Sequence, residues 1–325
     1  MGTELKVMIF GDKLFSYDML WGFRELGHDA GIITPGTVGE LDKLLSDKNP
    51  DLLITLGSPA YFKPELLRYL GSRTASAMKC IHWDTDGITW VGIEMNHIGL
   101  QKPDMVFTVC PEMLELLRGQ GMRSEMLFYA SSPVFHRPGP AAAEFEGQIA
   151  FVGASYPQIL QKFPNHYRRL SMDALFKPLL NNGYRVDLYG DSRHKQVIKA
   201  LYGFDMPDAW VHGYCPHESI FRIYSGCSIN LVTQNHENTL TKRLFEILGE
   251  GGFALSYDNA ALRELFTPGK ELAVSSSPDE TLELVEYYKS RPEEYYRIRE
   301  NAAASAQKHT YRERAEYILD KLTPD

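Results

Sequence analysis

The sequence predicts an α/β protein made of two parallel-sheet domains of similar size. Short apolar runs alternate with helical patterns along most of the chain, which is typical of parallel sheets that helices cover on both faces. The 325 residues exceed what one hydrophobic core usually covers, so two domains are expected. Between the two alternating halves, residues 131–143 are rich in proline and small side chains and predict a linker.

The composition is that of an ordinary globular protein, with 44% hydrophobic and 23% charged residues. A formal net charge of −8 and the lack of a basic block argue against a nucleic-acid partner. No apolar run approaches the ~20 residues that span a membrane, and the start of the chain lacks the pattern of a signal peptide. We therefore expect no membrane span.

Four cysteines, at positions 80, 110, 215 and 227, lie far apart and form no C-x-x-C pair. Three of them are within or beside strand-like runs, where buried free thiols are common. Neither a disulfide framework nor a zinc site is expected from this spacing. A reducing cytoplasm is the predicted location.

The first half contains six predicted strands, at 5–10, 30–33, 52–55, 77–82, 105–109 and 124–128, with helical patterns at 16–26, 38–45 and 111–120. After the linker, strands are predicted at 148–152, 185–189, 210–212, 228–233, 253–256 and 272–274. The helices of this half are predicted at 172–180, 218–224, 262–266, 278–289, 292–308 and 311–322, with a further one that begins near 241. Ligands of open parallel sheets bind at the carboxyl ends of the strands, so the residues after each strand are the functional candidates.

His82, Asp84 and Asp86 follow the fourth predicted strand within five residues. An imidazole with two carboxylates supplies a general base and acceptors for hydroxyl groups. Trp83 or Trp90 could stack on a sugar or an aromatic acceptor. The alternative is a loop that aspartates cap, with a structural histidine. We predict a catalytic role for the three polar residues, with Asp86 or His82 as the base.

Glycines follow two strands of the second half. Gly153, with Ser155 two residues later, follows the first of these strands, and Gly190 follows the second. A glycine at this place lets the backbone approach a phosphate, to which the Ser155 hydroxyl could donate a hydrogen bond. The pattern is not the G-x-G-x-x-G of a dinucleotide site. A tight turn is the alternative for each glycine.

One helix gathers its charges on a narrow arc. The stretch 241–256 predicts an amphipathic helix, then a glycine pair, then a short strand. Its hydrophobic side chains share one side, and Lys242, Arg243, Glu246 and Glu250 share the other. Backbone N–H groups at a helix start favour anions, so this set suits a ligand with phosphates and ribose hydroxyls. The alternative is an ordinary i,i+4 ion pair between Lys242 and Glu246, worth ~0.2–0.5 kcal/mol.

Five segments of the second half occur in a familiar order: 151–153, 188–190, 212–218, 224–231 and 242–246. In this order they resemble the donor domain of GT-B glycosyltransferases. The chain is most similar to the spore-maturation CgeB-like branch of the group-1 enzymes, which shows a similar Arg-x-Phe-Glu before a glycine pair and a tail like 308–311. The resemblance extends from about 147 to 317. It is looser in the first half, where 107–109 and 132–138 fit.

That resemblance implies a GT-B fold, with two Rossmann-like domains facing a cleft and a last helix that crosses back to the first domain. It implies metal-independent transfer of a hexose-like sugar from a UDP- or dTDP-linked donor, with no cofactor besides this substrate. The acceptor would be a small molecule, a saccharide or a protein, bound by the first domain. The implied donor-binding residues are Gly153, Ser155, Gly190, Tyr214, Asn238, Thr239, Lys242, Arg243 and Glu246.

The predicted boundaries are 1–137 for the acceptor-side domain, 138–146 for a linker, 147–308 for the nucleotide-sugar-binding domain and 309–325 for the returning helix.

In related enzymes two glutamates eight positions apart contact the donor, and the later one holds the ribose. Glu246 matches the later glutamate, whereas Asn238 stands at the earlier position.

Two alternatives stay open. Asp84 and Asp86 form the D-x-D pattern with which some transferases of the other major fold hold a divalent metal on a diphosphate. The second alternative is a non-catalytic protein that keeps the nucleotide site for assembly, for example on a spore surface. Asn238 at the expected glutamate position favours this second alternative.

Overall fold

The computed structural model describes residues 3–57, 61–73, 78–132 and 142–323 of the chain. The chain forms two compact units. Unit 1 comprises Met1–Ser132 and Thr310–Asp325, and unit 2 comprises Pro133–His309. Each unit contains one six-stranded sheet in which the paired strands are parallel.

The sheet of unit 1 has the strand order β2-β1-β3-β4-β5-β6. Its strands are β1 (Lys6–Gly11), β2 (Asp29–Ile32), β3 (Leu52–Leu56), β4 (Lys79–Asp84), β5 (Met105–Thr108) and β6 (Ser124–Met126). The helices between them are α1 (Lys13–Glu25), α2 (Val38–Lys48), α3 (Pro64–Ser72), α4 (Val91–Gln101) and α5 (Pro111–Gly119). Every residue of β3 is buried, because helices cover both faces of a parallel sheet.

The sheet of unit 2 has the order β12-β11-β10-β7-β8-β9. Its strands are β7 (Ile149–Gly153), β8 (Val186–Gly190), β9 (Val211–Gly213), β10 (Ile229–Val232), β11 (Ala254–Tyr257) and β12 (Ala273–Ser275). The helices are α6 (Pro157–Lys162), α7 (Tyr167–Asn181), α8 (His194–Tyr202), α9 (His217–Gly226), α10 (Lys242–Gly249), α11 (Ala260–Leu265), α12 (Pro278–Ser290) and α13 (Pro292–Ala306). Strands β7, β8 and β10 supply Phe151, Leu188 and Leu231 to one continuous core.

The last helix, α14 (Tyr311–Leu322), belongs to unit 1. Thr310 caps its first turn by accepting a hydrogen bond from the Glu313 N–H. Arg314 donates from Nε to the Phe128 carbonyl at 2.9 Å and from Nη2 to the Tyr129 carbonyl at 3.0 Å. The chain therefore leaves unit 1 after β6 and returns to it for a final helix.

The predicted fold class is confirmed, and each of the twelve predicted strands corresponds to a strand of the structure. Four helices, α3, α4, α6 and α8, were not predicted. In α4 the apolar residues are dispersed and interrupted by Gly92 and Gly99, which hides the helical period. Of the predicted linker 138–146, residues 138–141 lie outside the described residues, and Ala143–Phe145 form a short 3₁₀ turn.

None of the helices in the described ranges has an apolar stretch long enough to cross a bilayer.

Candidate functional site

The two glycines predicted to contact a phosphate lie side by side at the carboxyl edge of the unit 2 sheet. Strands β7 and β8 pair in a register that places Gly153 opposite Gly190. A Cβ at Gly190 would lie 1.9 Å from the Gly153 carbonyl oxygen, so only glycine fits this close approach. His194, at the start of α8, places its Nε2 atom 2.7 Å from the same carbonyl oxygen.

Gly153 also makes room for Arg243. A Cβ at Gly153 would lie 2.1 Å from the Nη2 atom of Arg243, so the guanidinium occupies the space that a side chain would fill. The Arg243 Cζ atom lies 4.7 Å from the centre of the Phe151 ring, a cation–π contact. Its Nη1 atom is buried and has no hydrogen-bond partner among the described residues.

Arg168, in the first turn of α7, makes a second cation–π contact with Phe151, with its Cζ atom 5.7 Å from the centre of the ring. Its exposed fraction is 3%. It donates to the Asn235 side-chain oxygen at 2.8 Å and to the Ala154 carbonyl at 2.6 Å, both neutral acceptors. Its Nε atom is buried and has no hydrogen-bond partner in the part of the chain that the structure describes. Burial, and then the charge of Arg243, lowers the pKa of the Arg168 guanidinium to about 9.

We call Arg168 and Arg243 the guanidinium pair. Among the described residues, no carboxylate forms an ion pair with either of them. Arg168 is buried and Arg243 is half-buried, and two adjacent cations of this kind without an ion-pair partner are costly, a cost that a bound anion would remove. Gly153, Gly190 and the guanidinium pair together therefore form an anion site that suits phosphate.

Helix α10 carries the next group of polar side chains. The Lys242 ammonium pairs with Glu246 Oε1, so the predicted i,i+4 alternative is present in the structure. The other Glu246 oxygen accepts a hydrogen bond from the Tyr224 hydroxyl of α9 at 3.2 Å. Burial and the Glu246 charge raise the pKa of Tyr224 well above 10. Lys242, Glu246 and Glu250 are all at least nine-tenths buried. The charged face of α10 is therefore not exposed to solvent, as it is in an ordinary amphipathic surface helix.

Ser155 uses its donors inside the protein. Its backbone N–H and its hydroxyl both donate to the Asp191 carboxylate, at 2.8 and 2.7 Å. Arg193 donates to the same carboxylate from its backbone N–H at 2.9 Å. Ser155 thereby fixes the loops after β7 and β8 to each other.

The remaining predicted donor residues lie in two loops of unit 2. Tyr214 directly follows β9 and is 81% exposed. Asn238 and Thr239 are half-buried in a tight turn that a bridge between His236 and Thr239 closes. The Thr239 carbonyl accepts a hydrogen bond from Asn259 at 2.6 Å, which ties this turn to the start of α11.

No sequence motif marks two residues of this site, Arg168 and Tyr224. Arg168 precedes an ordinary helical pattern, and nothing in its neighbourhood marks one arginine of the Arg168-Arg169 pair as buried. Tyr224 appears only within a segment of family resemblance.

In unit 1, β4 extends to Asp84, two residues beyond the predicted end. His82, Trp83 and Asp84 are therefore strand residues with fully buried side chains, not loop residues. His82 contacts Thr55 Oγ1 through Nδ1 at 2.8 Å and Glu94 Oε1 through Nε2 at 2.5 Å. Burial lowers the pKa of His82 to about 4 and raises that of Glu94 to about 7.

Asp84 caps the turn that follows its strand. Its Oδ1 atom accepts the N–H groups of Asp86 and Gly87 at 3.0 and 2.9 Å, and its Oδ2 atom accepts the Thr108 hydroxyl at 2.7 Å. Both carboxylate oxygens of Asp84 thus accept hydrogen bonds within unit 1. This matches the structural alternative stated for this segment, a loop that aspartates cap. Burial, followed by the charge of Glu94, raises the pKa of Asp84 to about 6.

Of the three residues predicted to be catalytic, Asp86 is the one whose side chain is partly exposed. Trp90, three residues after the turn, is 50% exposed, whereas Trp83 is buried and donates to the Leu127 carbonyl at 3.0 Å. Trp90 is therefore the tryptophan of this segment that could stack on a ligand. Tyr61 is also exposed, and burial together with Asp12 and Asp86 raises its pKa.

Part of the chain matches a described protein family. Residues 168–320, a little under half of the chain, match the family described as "Glycosyl transferase-like". The match begins at Arg168 and includes Tyr224, Arg243 and Glu246. None of the curated proteins matches the chain in sequence.

Solved structures with similar folds cover nearly the whole chain. The sucrose-phosphate synthase from Thermosynechococcus elongatus superimposes with a TM-score of 0.69 at 9% identity, over 98% of each chain. Anabaena HepE in complex with UDP-glucose gives 0.65 at 12% identity, over 98% of this chain and all of the other. A UDP-forming α,α-trehalose-phosphate synthase from Burkholderia xenovorans gives 0.61 at 11% identity, over 98% and 99%. The chain therefore has the GT-B fold of these glycosyltransferases.

Proposed function

We propose that the protein is a glycosyltransferase that takes a hexose-like sugar from a UDP-linked donor, with dTDP as the second candidate nucleotide. The observation that carries the proposal is the guanidinium pair, which forms no ion pair with any described carboxylate and lies beside two glycines at the carboxyl edge of a sheet. The family match over 168–320 and the structure of HepE with UDP-glucose support the same reading.

In this proposal the guanidinium pair neutralises the donor diphosphate. Arg243 of α10 binds next to the backbone of Gly153 at the end of β7, and Arg168 binds from α7. Two cations at this place would carry the charge that a divalent metal carries in other transferases, so transfer is proposed to be metal-independent. Gly190 allows the close approach of the β7 and β8 backbones that this arrangement needs.

Glu246 is proposed to hold the ribose hydroxyls of the donor. It already accepts from Lys242 and Tyr224, which fix its carboxylate in one orientation. Carboxylate oxygens have about four acceptor sites in total, so ribose hydroxyls can be added to these partners. Tyr214, Asn238, Thr239 and Ser155 stay proposed neighbours of the donor.

Unit 1 is proposed to bind the acceptor near the Asp84–Gly87 turn. Asp86 is the proposed base, because His82 and Asp84 are fully buried and use their polar atoms within unit 1. Asp84 would position Asp86 through the Asp86 N–H. The exposed ring of Trp90 offers a stacking surface for a saccharide or another ring-bearing acceptor.

The donor proposal is tested by thermal shift and calorimetry with UDP, dTDP and UDP-glucose. Nucleotide at 100 times its Kd stabilises the folded state by about 2.7 kcal/mol. The Arg168→Gln and Glu246→Ala variants should lose most of this stabilisation. Arg169→Gln is the matched control, because the adjacent Arg169 pairs with Asp173 instead. The proposal fails if no nucleotide stabilises the parent protein or if Arg168→Gln binds UDP as tightly as the control.

A non-catalytic nucleotide-binding role is the second candidate, and Asn238 at the expected glutamate position favours it. The two candidates differ in turnover. UDP release from UDP-glucose in the presence of a panel of saccharide and small-molecule acceptors supports the transferase. Tight UDP binding without release supports the non-catalytic role, and loss of release on chelation supports a metal-dependent transferase.

The subfamily and cellular setting remain proposals as well. The CgeB-like branch and a role in spore maturation rest on the sequence resemblance alone. A cytoplasmic location is consistent with four cysteines that are all free thiols in the structure.

A further inference from the structure

Unit 1 contains a buried cluster of metal-ligand side chains that the proposed transfer reaction does not use. His82 of β4 and Glu94 and His97 of α4 are each at most 2% exposed. One ligand atom from each residue lies within 4.8 Å of the other two. The His82 and His97 rings lie 4.5 Å apart between their centres. We call these three residues the His-Glu-His cluster.

The surrounding hydrogen bonds provide an acceptor for one ring N–H of each histidine. Gln101 accepts from His97 Nε2 at 3.0 Å through its amide oxygen and donates to Thr55 Oγ1 at 2.8 Å. The Thr55 hydroxyl has acceptors in the Ile81 carbonyl at 3.2 Å and the Gln101 amide oxygen at 3.0 Å, so it can donate to one of them while it accepts from His82 Nδ1 at 2.8 Å. In this arrangement both imidazoles have a lone pair on the nitrogen that faces the cluster, Nε2 of His82 and Nδ1 of His97, and in the absence of a metal Glu94 supplies the proton of its short contact with His82 Nε2.

Those lone pairs are where a metal would bind. Metal-ligating histidines usually donate their other ring N–H to a hydroxyl, amide or carbonyl oxygen, which is the role that Thr55 and Gln101 have here. His97 Nδ1 and Glu94 Oε2 are buried and have no hydrogen-bond partner among the described residues. Two unpartnered acceptors in one buried cluster are costly, and one bound cation would satisfy both.

We propose that the His-Glu-His cluster binds a divalent transition-metal ion, with Zn²⁺ as the ion that its donor set fits best. His82 Nε2, His97 Nδ1 and a Glu94 carboxylate oxygen are its three protein ligands. Two imidazoles and one carboxylate suit zinc, and hard cations such as Mg²⁺ prefer all-oxygen sites. This inference is independent of the proposed transfer activity and assigns the metal no step in it.

The ion would link β4 to α4 directly before the turn that carries Asp86. His82 lies two residues before Asp84, which caps that turn, while Glu94 and His97 lie one helical turn apart on α4. Metal binding would therefore add stability to unit 1, because the unfolded chain does not bring the three ligands together.

The deciding variant is Glu94→Gln. Without a metal, Glu94 shares a proton with His82, and a glutamine amide can donate to the same His82 nitrogen, so this variant would keep its stability. With a metal, the same substitution removes a charged ligand. His28→Asn is the matched control, because His28 accepts from a backbone N–H in unit 1 and lies outside the cluster.

The full chain is produced in zinc-supplemented medium, and its metal content is measured by mass spectrometry. We expect one Zn²⁺ per chain in the parent and in His28→Asn, and none in Glu94→Gln or His97→Ala. Refolding with Co²⁺ in place of Zn²⁺ should give visible absorption bands in the parent. Neither Glu94→Gln nor His97→Ala should show these bands. Thr55→Val, which removes the hydrogen-bond acceptor of His82, should weaken Zn²⁺ binding by about 10- to 100-fold.

Thermal unfolding with and without Zn²⁺ keeps the test decisive if His97→Ala fails to fold. The parent should melt at a lower temperature after refolding with chelator than after refolding with Zn²⁺, and Glu94→Gln should melt at one temperature under both conditions. The proposal is overturned if the parent contains no metal after both preparations, or if Glu94→Gln retains the same zinc content as the parent.

Discussion

Gly153 determines where the Arg243 guanidinium can lie. A Cβ added at Gly153 would meet the Nη2 atom at 2.1 Å, and that atom is the far end of a flexible side chain. The added Cβ would also lie 3.0 Å from the Cζ atom of Phe151, so that ring has to shift slightly while the arginine moves aside. The cost in folding free energy is therefore small, but the guanidinium leaves the place that the proposed donor site requires. This separation of binding from stability makes Gly153 a useful test position.

We expect Gly153→Ala to weaken UDP binding by roughly tenfold, which corresponds to about 1.4 kcal/mol. The free energy of unfolding should change by less than about 1 kcal/mol, because the displaced group is a side-chain end. Calorimetry with UDP and urea unfolding measure the two effects. Gly39→Ala, where no atom lies within 4 Å of the added Cβ, serves as the control. Unchanged UDP affinity in Gly153→Ala would contradict the role of Arg243.

Asp191 joins the loops after β7 and β8 by accepting from Ser155 and Arg193. Burial raises the pKa of this carboxyl, but the hydrogen bonds from Arg193 and Ser155 outweigh burial and hold it well below 3.8. A carboxyl with a lowered pKa in the folded state stabilises the protein above the unfolded pKa and loses that contribution as the pH falls below it.

We therefore expect Asp191→Asn to be less stable than the parent at pH 7, with a gap that closes as the pH falls below about 3.8. Urea unfolding between pH 7 and pH 3 measures the gap. Asp205→Asn is the control, because Asp205 pairs with Lys199 on an exposed surface and such pairs contribute little. A gap that is constant over this pH range would show that the charge of Asp191 is not what stabilises the loops.

At the scale of elements, the contact between α1 and α14 depends on one glycine. A Cβ at Gly22 of α1 would lie 2.2 Å from the Tyr311 carbonyl oxygen, and this neighbour is backbone. Gly22 therefore lets the last helix approach α1 closely. The Tyr311 N–H in turn donates to the Ser131 carbonyl at 3.0 Å, which fixes the start of α14.

We expect Gly22→Ala to destabilise unit 1 by about 1–3 kcal/mol through overpacking. Gly99→Ala in α4, where the added Cβ meets open space, should instead be neutral or stabilising by up to about 1 kcal/mol. Denaturant unfolding of both variants measures the difference, and UDP binding reports on unit 2 separately. Equal stability of the two variants would show that α14 is not packed against Gly22.

The elements also show how far the sequence predicts this fold. Strands such as β1, β3 and β7 are short apolar runs with clear ends, and all twelve strands were predicted. Helix α10 was predicted, but the burial of Lys242 and Glu246 was not, because charge pattern alone cannot distinguish a solvated face from one covered by α9. The end of β4 was misplaced because Asp84 is polar and its buried partner Thr108 comes from a distant position.

At the scale of the whole molecule, the described sites include residues that only the fold brings together. Gly153 and Gly190 were predicted from their places after strands, and the sheet register makes them neighbours. Arg168 joins them from 15 residues away along the chain, and His82 meets Glu94 and His97 across a strand and a helix. Such long-range contacts leave no local pattern in a single sequence, which is why both groupings required the structure.

The four free thiols report on the integrity of both units. Burial raises the pKa of Cys80 to about 12 and that of Cys110 to about 11, and it also raises the pKa of Cys227. Cys215 is half-buried. Because the thiolate is the reactive form, buried Cys110 and Cys227, and half-buried Cys80 with its raised pKa, should react slowly in the folded protein.

We expect a thiol reagent at pH 8 to modify one cysteine, Cys215, in the native protein and all four cysteines in denaturant. Mass spectrometry of the digested protein identifies the modified positions. Rapid native modification of Cys80 would indicate that unit 1 opens readily, and rapid modification of Cys227 would indicate the same for unit 2.

The return of the chain to unit 1 has a consequence for the order of synthesis. Unit 2 is continuous, from Pro133 to His309, whereas unit 1 is complete only when α14 has been made. The ribosome must add the 177 residues from 133 to 309 in the interval, which takes roughly 10–35 seconds at bacterial-like rates of about 5–20 residues per second. Throughout that time the face of α1 around Gly22 lacks its covering helix. A nascent chain of this protein therefore presents an uncovered helix face on its first-made unit while its second unit can already be folded.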